Sequence, residues 1–218
     1  MATDTSEKGL ETIIEACLLD TKGEKKESLR WIKRASENFN RDYCLDEDML
    51  RAFLQRTQMD KVARTRIYDT PANTRKFLER LRNQITLRGI VDVLRYGIEH
   101  NAIHFDLYYP TPVTGNLQAT IAYEQNLWCV TRQLHFSNSR PADSVDMVLS
   151  LNGLPIITME LKNKLSCQDV EHAISQYKTD RNPKELLFMP KRCAVHFAVD
   201  DADVKMCTAL NGKSSWFL

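Results

Sequence analysis

The sequence predicts a mixed α/β fold: a β-sheet flanked by helices, with a helical region at its N-terminal end. Three observations carry that prediction. Up to Ile98 the apolar residues recur at helical spacing, and from Ala102 they gather into short runs of β-branched and aromatic residues between turn residues. An Asn-Gly turn at 152–153 joins two such runs, and a helical stretch and another strand follow it, which is the order of a crossover connection. The division sets a mainly helical region, residues 1–100, against a core, residues 101–218, in one composite domain.

Thr5 to Leu19 reads as an amphipathic helix begun by Thr5 or Ser6, and Thr21 to Glu27 is a charged, glycine-containing break. Helices are predicted near Ser28 to Asn38, Asp46 to Gln58, Asn73 to Leu81 and Ile90 to Ile98, with Thr70-Pro71 marking a boundary. Strands follow over Ile103 to Tyr109, Ala119 to Tyr123, Leu127 to Phe136, Ser144 to Leu151 and Ile156 to Leu161. Cys167 to Lys178 is helical in pattern, and Cys193 to Val199 and Val204 to Ala209 are again strands. Nothing repeats, and no low-complexity segment interrupts the chain.

The chemistry is concentrated between Val145 and Asn163. Asp146 opens an apolar run, Asn152-Gly153 turns it, and the return run ends on Glu160-Leu161-Lys162. Asn-Gly between apolar runs is a strong hairpin signal, because both residues tolerate positive φ. Side chains alternate along a strand, so Glu160 and Lys162 share one side and Leu161 takes the other. The hairpin brings Asp146 back toward Glu160. Two carboxylates and a backbone carbonyl can hold Mg²⁺, which prefers oxygen donors and keeps several waters. Such an ion acidifies a bound water, and a neighbouring lysine can orient or deprotonate that water and stabilise a pentavalent phosphate. Taken as residue types alone, the same groups also describe a solvated strand edge with a cross-strand ion pair, worth about 0.2–1 kcal/mol. The apolar surroundings of residues 145 to 161 point instead to interior strands, whose charged ends need a reason.

Asp146, thirteen intervening residues and then Glu160-Leu161-Lys162-Asn163 resemble the PD-(D/E)xK nuclease motif. With Leu151-Asn152-Gly153-Leu154-Pro155 before it, the segment is similar to the N-terminal nuclease region of the type I restriction enzyme R subunit. The likeness extends through Gln176 to Arg181, Cys193 to Val199 and Gly212-Lys213-Ser214, and upstream to Glu7, Glu11 and the Leu87 to Gly97 segment. The resemblance implies a restriction-endonuclease-like sheet. It implies metal ligation by Asp146, Glu160 and the Leu161 carbonyl, and catalysis by Asp146, Glu160 and Lys162. It implies DNA contacts from Gln176, Tyr177 and Arg181. Gln176 resembles the glutamine of a Gln-x-x-x-Tyr element, but the fourth position after it is Asp180, which leaves Tyr177, Lys178 and Arg181 as the nearby candidates for the tyrosine's part. The implied activity is Mg²⁺-dependent cutting of double-stranded DNA, beside modification and specificity subunits. ATP would serve a translocating motor that this chain lacks, and the closing Trp216-Phe217-Leu218 reads as mid-strand. The alternative, from a different class, is a non-catalytic DNA-binding or assembly module of the same complex.

Composition narrows the remaining classes. A length of 218 residues with 43% apolar content can bury one substantial core. No run approaches the ~18 apolar residues of a membrane helix, and no signal peptide opens the chain, so the expected location is cytoplasmic, without membrane contact. Net charge is +1, yet nine basic residues face three acids between Lys61 and Ile98, a segment able to track phosphates or simply to present a solvated helix face. The six cysteines show no Cys-x-x-Cys pairing and read as reduced, largely buried thiols. Gly212-Lys213-Ser214 mimics the end of a phosphate-binding loop, but the loop's first glycine would fall on Cys207. Glu7, Glu11 and Glu15 form one helical stripe that reads as surface charge, although it can bring Glu11 toward the metal. Gln133 and Asn163 stand where neighbouring strand ends approach the site.

Overall fold

A computed structural model describes residues 7–19, 30–163 and 168–218. The first half contains α1 (Glu7–Leu19), β1 (Trp31–Arg34), β2 (Phe39–Asn40), β3 (Leu45–Asp46), α2 (Glu47–Thr57), α3 (Met59–Thr65), α4 (Pro71–Arg88) and α5 (Ile90–Tyr96). The second contains β4 (Ile98–His100), β5 (Ile103–Phe105), α6 (Leu117–Glu124), β6 (Trp128–His135), β7 (Ser144–Leu151), β8 (Leu154–Leu161), α7 (Val170–Thr179), β9 (Val195–Val199) and β10 (Val204–Cys207).

A mixed six-stranded sheet in the order β1-β6-β7-β8-β9-β10 forms the centre. β6, β7 and β8 make an antiparallel meander, and α7 carries the chain over to β9, which runs parallel to β8. The expected crossover and flanked mixed sheet are therefore present. β7 and β8 lie in the interior of the sheet and are apolar on both faces. Met147, Leu149 and Leu161 pack with Leu10, Ile14 and Leu18 of α1 on one side. Val148 joins Tyr177 of α7 on the other, where the Tyr177 hydroxyl meets Thr158 Oγ1 at 2.8 Å. Because Leu161 faces α1, strand alternation turns Glu160 and Lys162 to the α7 side.

The hairpin turn is buried. Asn152 (φ 53°) and Gly153 (φ 84°) both take the left-handed conformation expected of this pair. Asn152 has no exposed surface; its carboxamide accepts from the Leu127 amide at 2.7 Å and donates to the Leu107 carbonyl at 2.9 Å. The Gly153 carbonyl accepts from the Asp46 amide at 2.8 Å, and a Cβ at Gly153 would run into the Asp46 carbonyl oxygen. The tip of the hairpin is thereby seated on the helical region, whose own core gathers Leu50, Phe53, Phe77, Leu81 and Ile85 around Leu154.

Four sequence expectations need correction. Residues 31–34, expected to be helical, form β1, parallel to β6; Trp31 packs on the α1 side and Ile32 on the helical-region core, a period of two that only a strand gives. Residues 28 and 29 of that expected helix lie outside the described residues. The Ala119 to Tyr123 strand is instead part of α6, because Asn116 caps the helix by accepting from the Ala119 amide at 3.0 Å. The strand expected over Ile103 to Tyr109 stops at Phe105. Beyond it, side-chain amides replace a neighbouring strand: Gln58 bonds both backbone groups of Asp106, and Asn126 both of Tyr109. α4 outruns its expected span in both directions, from the Thr70 cap to Gly89, and α3 has no counterpart in the sequence reading.

Four of the five described cysteines are buried and all five are free; Cys167 lies outside the described residues. Gly212 to Ser215 forms a tight turn, with the Ser215 amide donating to the Gly212 carbonyl at 3.0 Å. Among the described residues no helix is long and apolar enough to cross a membrane.

Candidate active site

The ladder between β7 and β8 pairs Met147 with Met159, which makes Asp146 and Glu160 the next facing pair. There the ladder gives way to side-chain contact, and the Leu161 amide donates to Asp146 Oδ2 at 2.8 Å. Lys162, two residues beyond Glu160, is 8% exposed, and its backbone amide is fixed by the Val199 carbonyl of β9 at 2.8 Å. Asp146, Glu160 and Lys162 are thus brought together, as the hairpin requires.

Glu160 is completely buried. Its Oε1 accepts from Arg181 Nε at 2.6 Å, whereas Oε2, equally enclosed, has no hydrogen-bond partner among the described residues. Burial pushes the Glu160 carboxyl up to about 8, and the Asp146 charge adds to that, against the opposing pull of Arg181 and Lys162. For the Arg181 guanidinium, burial works downward, but the hydrogen bond and charge of Glu160 outweigh it and hold the group above its ordinary value. Arg181 also donates to the Ser144 carbonyl at 2.7 Å and lies 5.7 Å from the centre of the Phe136 ring.

A second polar chain reaches the site from α1. Glu11 is 2% exposed and Glu15 6%, so these two are not surface charge. Glu11 accepts from Arg132 Nε at 2.8 Å and from Gln133 Nε2 at 2.7 Å, and the same Gln133 nitrogen lies 3.1 Å from Asp146 Oδ1. Glu15 takes Lys33 at 2.8 Å and Arg132 at 3.5 Å. The side chain of Glu7 lies outside what is described.

The three residues implied for DNA contact are placed differently from one another. Gln176 is half-buried on α7. Tyr177 has no exposed surface; its ring packs on Phe188 and His196, and burial holds its hydroxyl well above the ordinary phenol value. Arg181 is 7% exposed and committed to Glu160. Tyr177 and Arg181 therefore both lie in the interior, Arg181 against Glu160. Of the basic segment, Lys61 and Arg88 are paired with Asp106 and Asp92. Arg75 and Arg82 line a cleft of about 790 Å³ with Arg41, Lys184 and Phe136, the ring that also meets Arg181.

Sequence reasoning missed the Arg181–Glu160 pair and the Glu11–Arg132 pair. The first left only a trace, a basic residue just past the C-terminus of the helix that crosses over the hairpin. The second was accessible in the repeated glutamates of α1 opposite a strand carrying Arg132 and Gln133.

A search of the curated proteins finds no match to this chain. The family model of the type I restriction enzyme R protein N terminus matches residues 6–215, a span that contains the hairpin, α1 and α7, and the chain belongs to that family.

Proposed function

We propose that this chain is a Mg²⁺-dependent endonuclease module that hydrolyses phosphodiester bonds of double-stranded DNA. It would act as the nuclease of a type I restriction enzyme, after translocation by a motor outside these 218 residues and beside modification and specificity subunits. The observation that carries the reading is Glu160 Oε2, a carboxylate oxygen buried beside Asp146 without a partner among the described residues. A buried carboxylate with one oxygen unmatched is costly unless a cation or a proton completes it.

The donor set fits magnesium. Two carboxylates, the Leu161 carbonyl and water make a donor set that a hard octahedral cation accepts, and it needs no third acidic or imidazole side chain. When bound, the ion would supply an acidified water and neutralise charge on a phosphoryl oxygen. Asp146 and Glu160 would hold it, and Arg181 fixes the Glu160 carboxylate in one orientation through Oε1. Lys162, on the same face, orients the attacking water and stabilises the pentavalent phosphate. The basic cleft beside Phe136 gives the DNA backbone an approach.

The test is DNA cleavage by the assembled enzyme carrying Asp146→Ala, Glu160→Ala or Lys162→Ala, with Mn²⁺ binding measured on this chain. Each variant should abolish cleavage, and the first two should also abolish Mn²⁺ uptake. Variants that still cut overturn the assignment. DNA affinity retained by a chain that takes up no metal favours the non-catalytic module.

A further inference from the structure

Gln133 stands in the middle of β6 with φ 45°, the left-handed region, although it is neither glycine nor in a turn. An L-residue with a long side chain adopts that conformation only where the surroundings impose it. Packing does not impose it here, since Gln133 is exposed. Its hydrogen bonds do. The carboxamide nitrogen reaches Glu11 Oε1 at 2.7 Å and Asp146 Oδ1 at 3.1 Å, and the carboxamide oxygen accepts from Ser144 Oγ at 2.8 Å. Two carboxylates on the nitrogen and a hydroxyl on the oxygen fix the amide's orientation, because the flipped amide would set its oxygen against both carboxylates.

The backbone around Gln133 changes face with it. Val130 packs on the α1 side and Arg132 reaches Glu11 of α1, whereas Leu134, two residues on, lies in the cluster under α7. On the facing strand Met147 and Val145 divide in the same way. Regular alternation would keep residues 132 and 134 on one side. The break falls beside Asp146, whose other oxygen is already held by the Leu161 amide.

We propose that Gln133 is a positioning residue: its amide, held out by a strained backbone, bridges the buried Glu11 of α1 to Asp146 and sets the orientation in which Asp146 meets the metal. The inference rests on the reading of Asp146 as a metal ligand. One clamp on each Asp146 oxygen leaves the carboxylate a single orientation, and α1 becomes part of the site without touching the ion.

The test uses two readouts on this chain. In metal-free protein, the unfolding constants of Glu11→Ala, Asp146→Ala and the double variant form a cycle, repeated in the Gln133→Gly background. The two changes should couple by about threefold or more in the wild type and become additive once the bridge is removed. Gln133→Gly itself, which accepts positive φ without strain, should unfold within about threefold of the wild type yet bind Mn²⁺ about tenfold more weakly. A glutamine with only a structural part would shift stability and leave Mn²⁺ affinity alone. Additivity in both backgrounds, or Mn²⁺ affinity unchanged by Gln133→Gly, overturns the proposal. A wild type that takes up no Mn²⁺ while the cycle still couples overturns the metal reading and supports the bridge.

Discussion

Arg181 grips one oxygen of Glu160 at 2.6 Å and leaves the other, just as deeply buried, without a partner among the described residues. The guanidinium holds the carboxylate still without satisfying it. That asymmetry separates this pair from an ordinary interior salt bridge, in which both oxygens find donors.

Metal uptake should depend on pH because a cation and a proton compete for Glu160. Burial raises this carboxyl to about 8, so at neutral pH the metal-free group binds a proton that the ion must displace. Below that value the Mn²⁺ affinity should rise about tenfold per pH unit and level off above it. Calorimetry in two buffers of different ionisation enthalpy should show close to one proton released per ion at pH 7. Binding that is flat between pH 6 and 8 contradicts the assignment of Glu160.

Arg181→Met should expose the dependence in the other direction. Without its counter-charge the ionised Glu160 is a lone buried carboxylate, and stability at pH 9 should drop by about 3 kcal/mol or more. At pH 6 the loss should be smaller, since a protonated carboxyl has no charge to compensate. Urea denaturation at the two pH values measures both, and equal losses would show that Arg181 acts by packing alone.

His196 gives the fold an acid limit of its own. Burial lowers its imidazole from 6.5 to about 4, with Nδ1 against Thr158 Oγ1 at 2.7 Å. A histidine whose folded value is depressed leaves stability intact above the unfolded value and removes it as the unfolded chain takes up protons first. The loss should therefore run from about pH 6.5 down to about 4 and approach 3 kcal/mol. His196→Gln should flatten the stability profile over that window, whatever it does to stability at pH 8.

Asn152→Ala should be among the most damaging substitutions away from the carboxylates. It strips the partner from the buried Leu127 amide and the Leu107 carbonyl and removes a residue type suited to φ 53°. A loss of about 3 kcal/mol is expected by urea denaturation, and less than about 1 kcal/mol would mean that water takes over those bonds.

Much of the candidate site's geometry was legible because it is set locally. Asn152-Gly153 fixes the hairpin register, and a period of two then decides that Glu160 and Lys162 share a face, with no knowledge of the rest of the fold. What stayed hidden depends on distant partners. Residues 31–34 read as helix because nothing nearby says that β6, almost a hundred residues on, will offer Trp128 to Trp31. Glu11 read as surface charge because its burial depends on Arg132, reached only after the sheet has formed. Within α6 only Thr120, Ile121 and Tyr123 favour a strand; Leu117, Gln118, Ala119, Ala122 and Glu124 favour a helix, and the Asn116 cap starts it. Arg181 stood in the expected segment, but that its side chain reaches inward to Glu160 depends on how the end of α7 packs over the hairpin.

The seating of the Asn152-Gly153 tip against Asp46 has a practical consequence for dissecting this protein. The loop that closes the carboxylate-bearing strands is also a plug in the floor of the helical half, so neither half keeps a finished surface when the other is removed. Shortened versions divided near residue 100 should come out of expression insoluble, and the smallest unit worth purifying spans both sides of that divide.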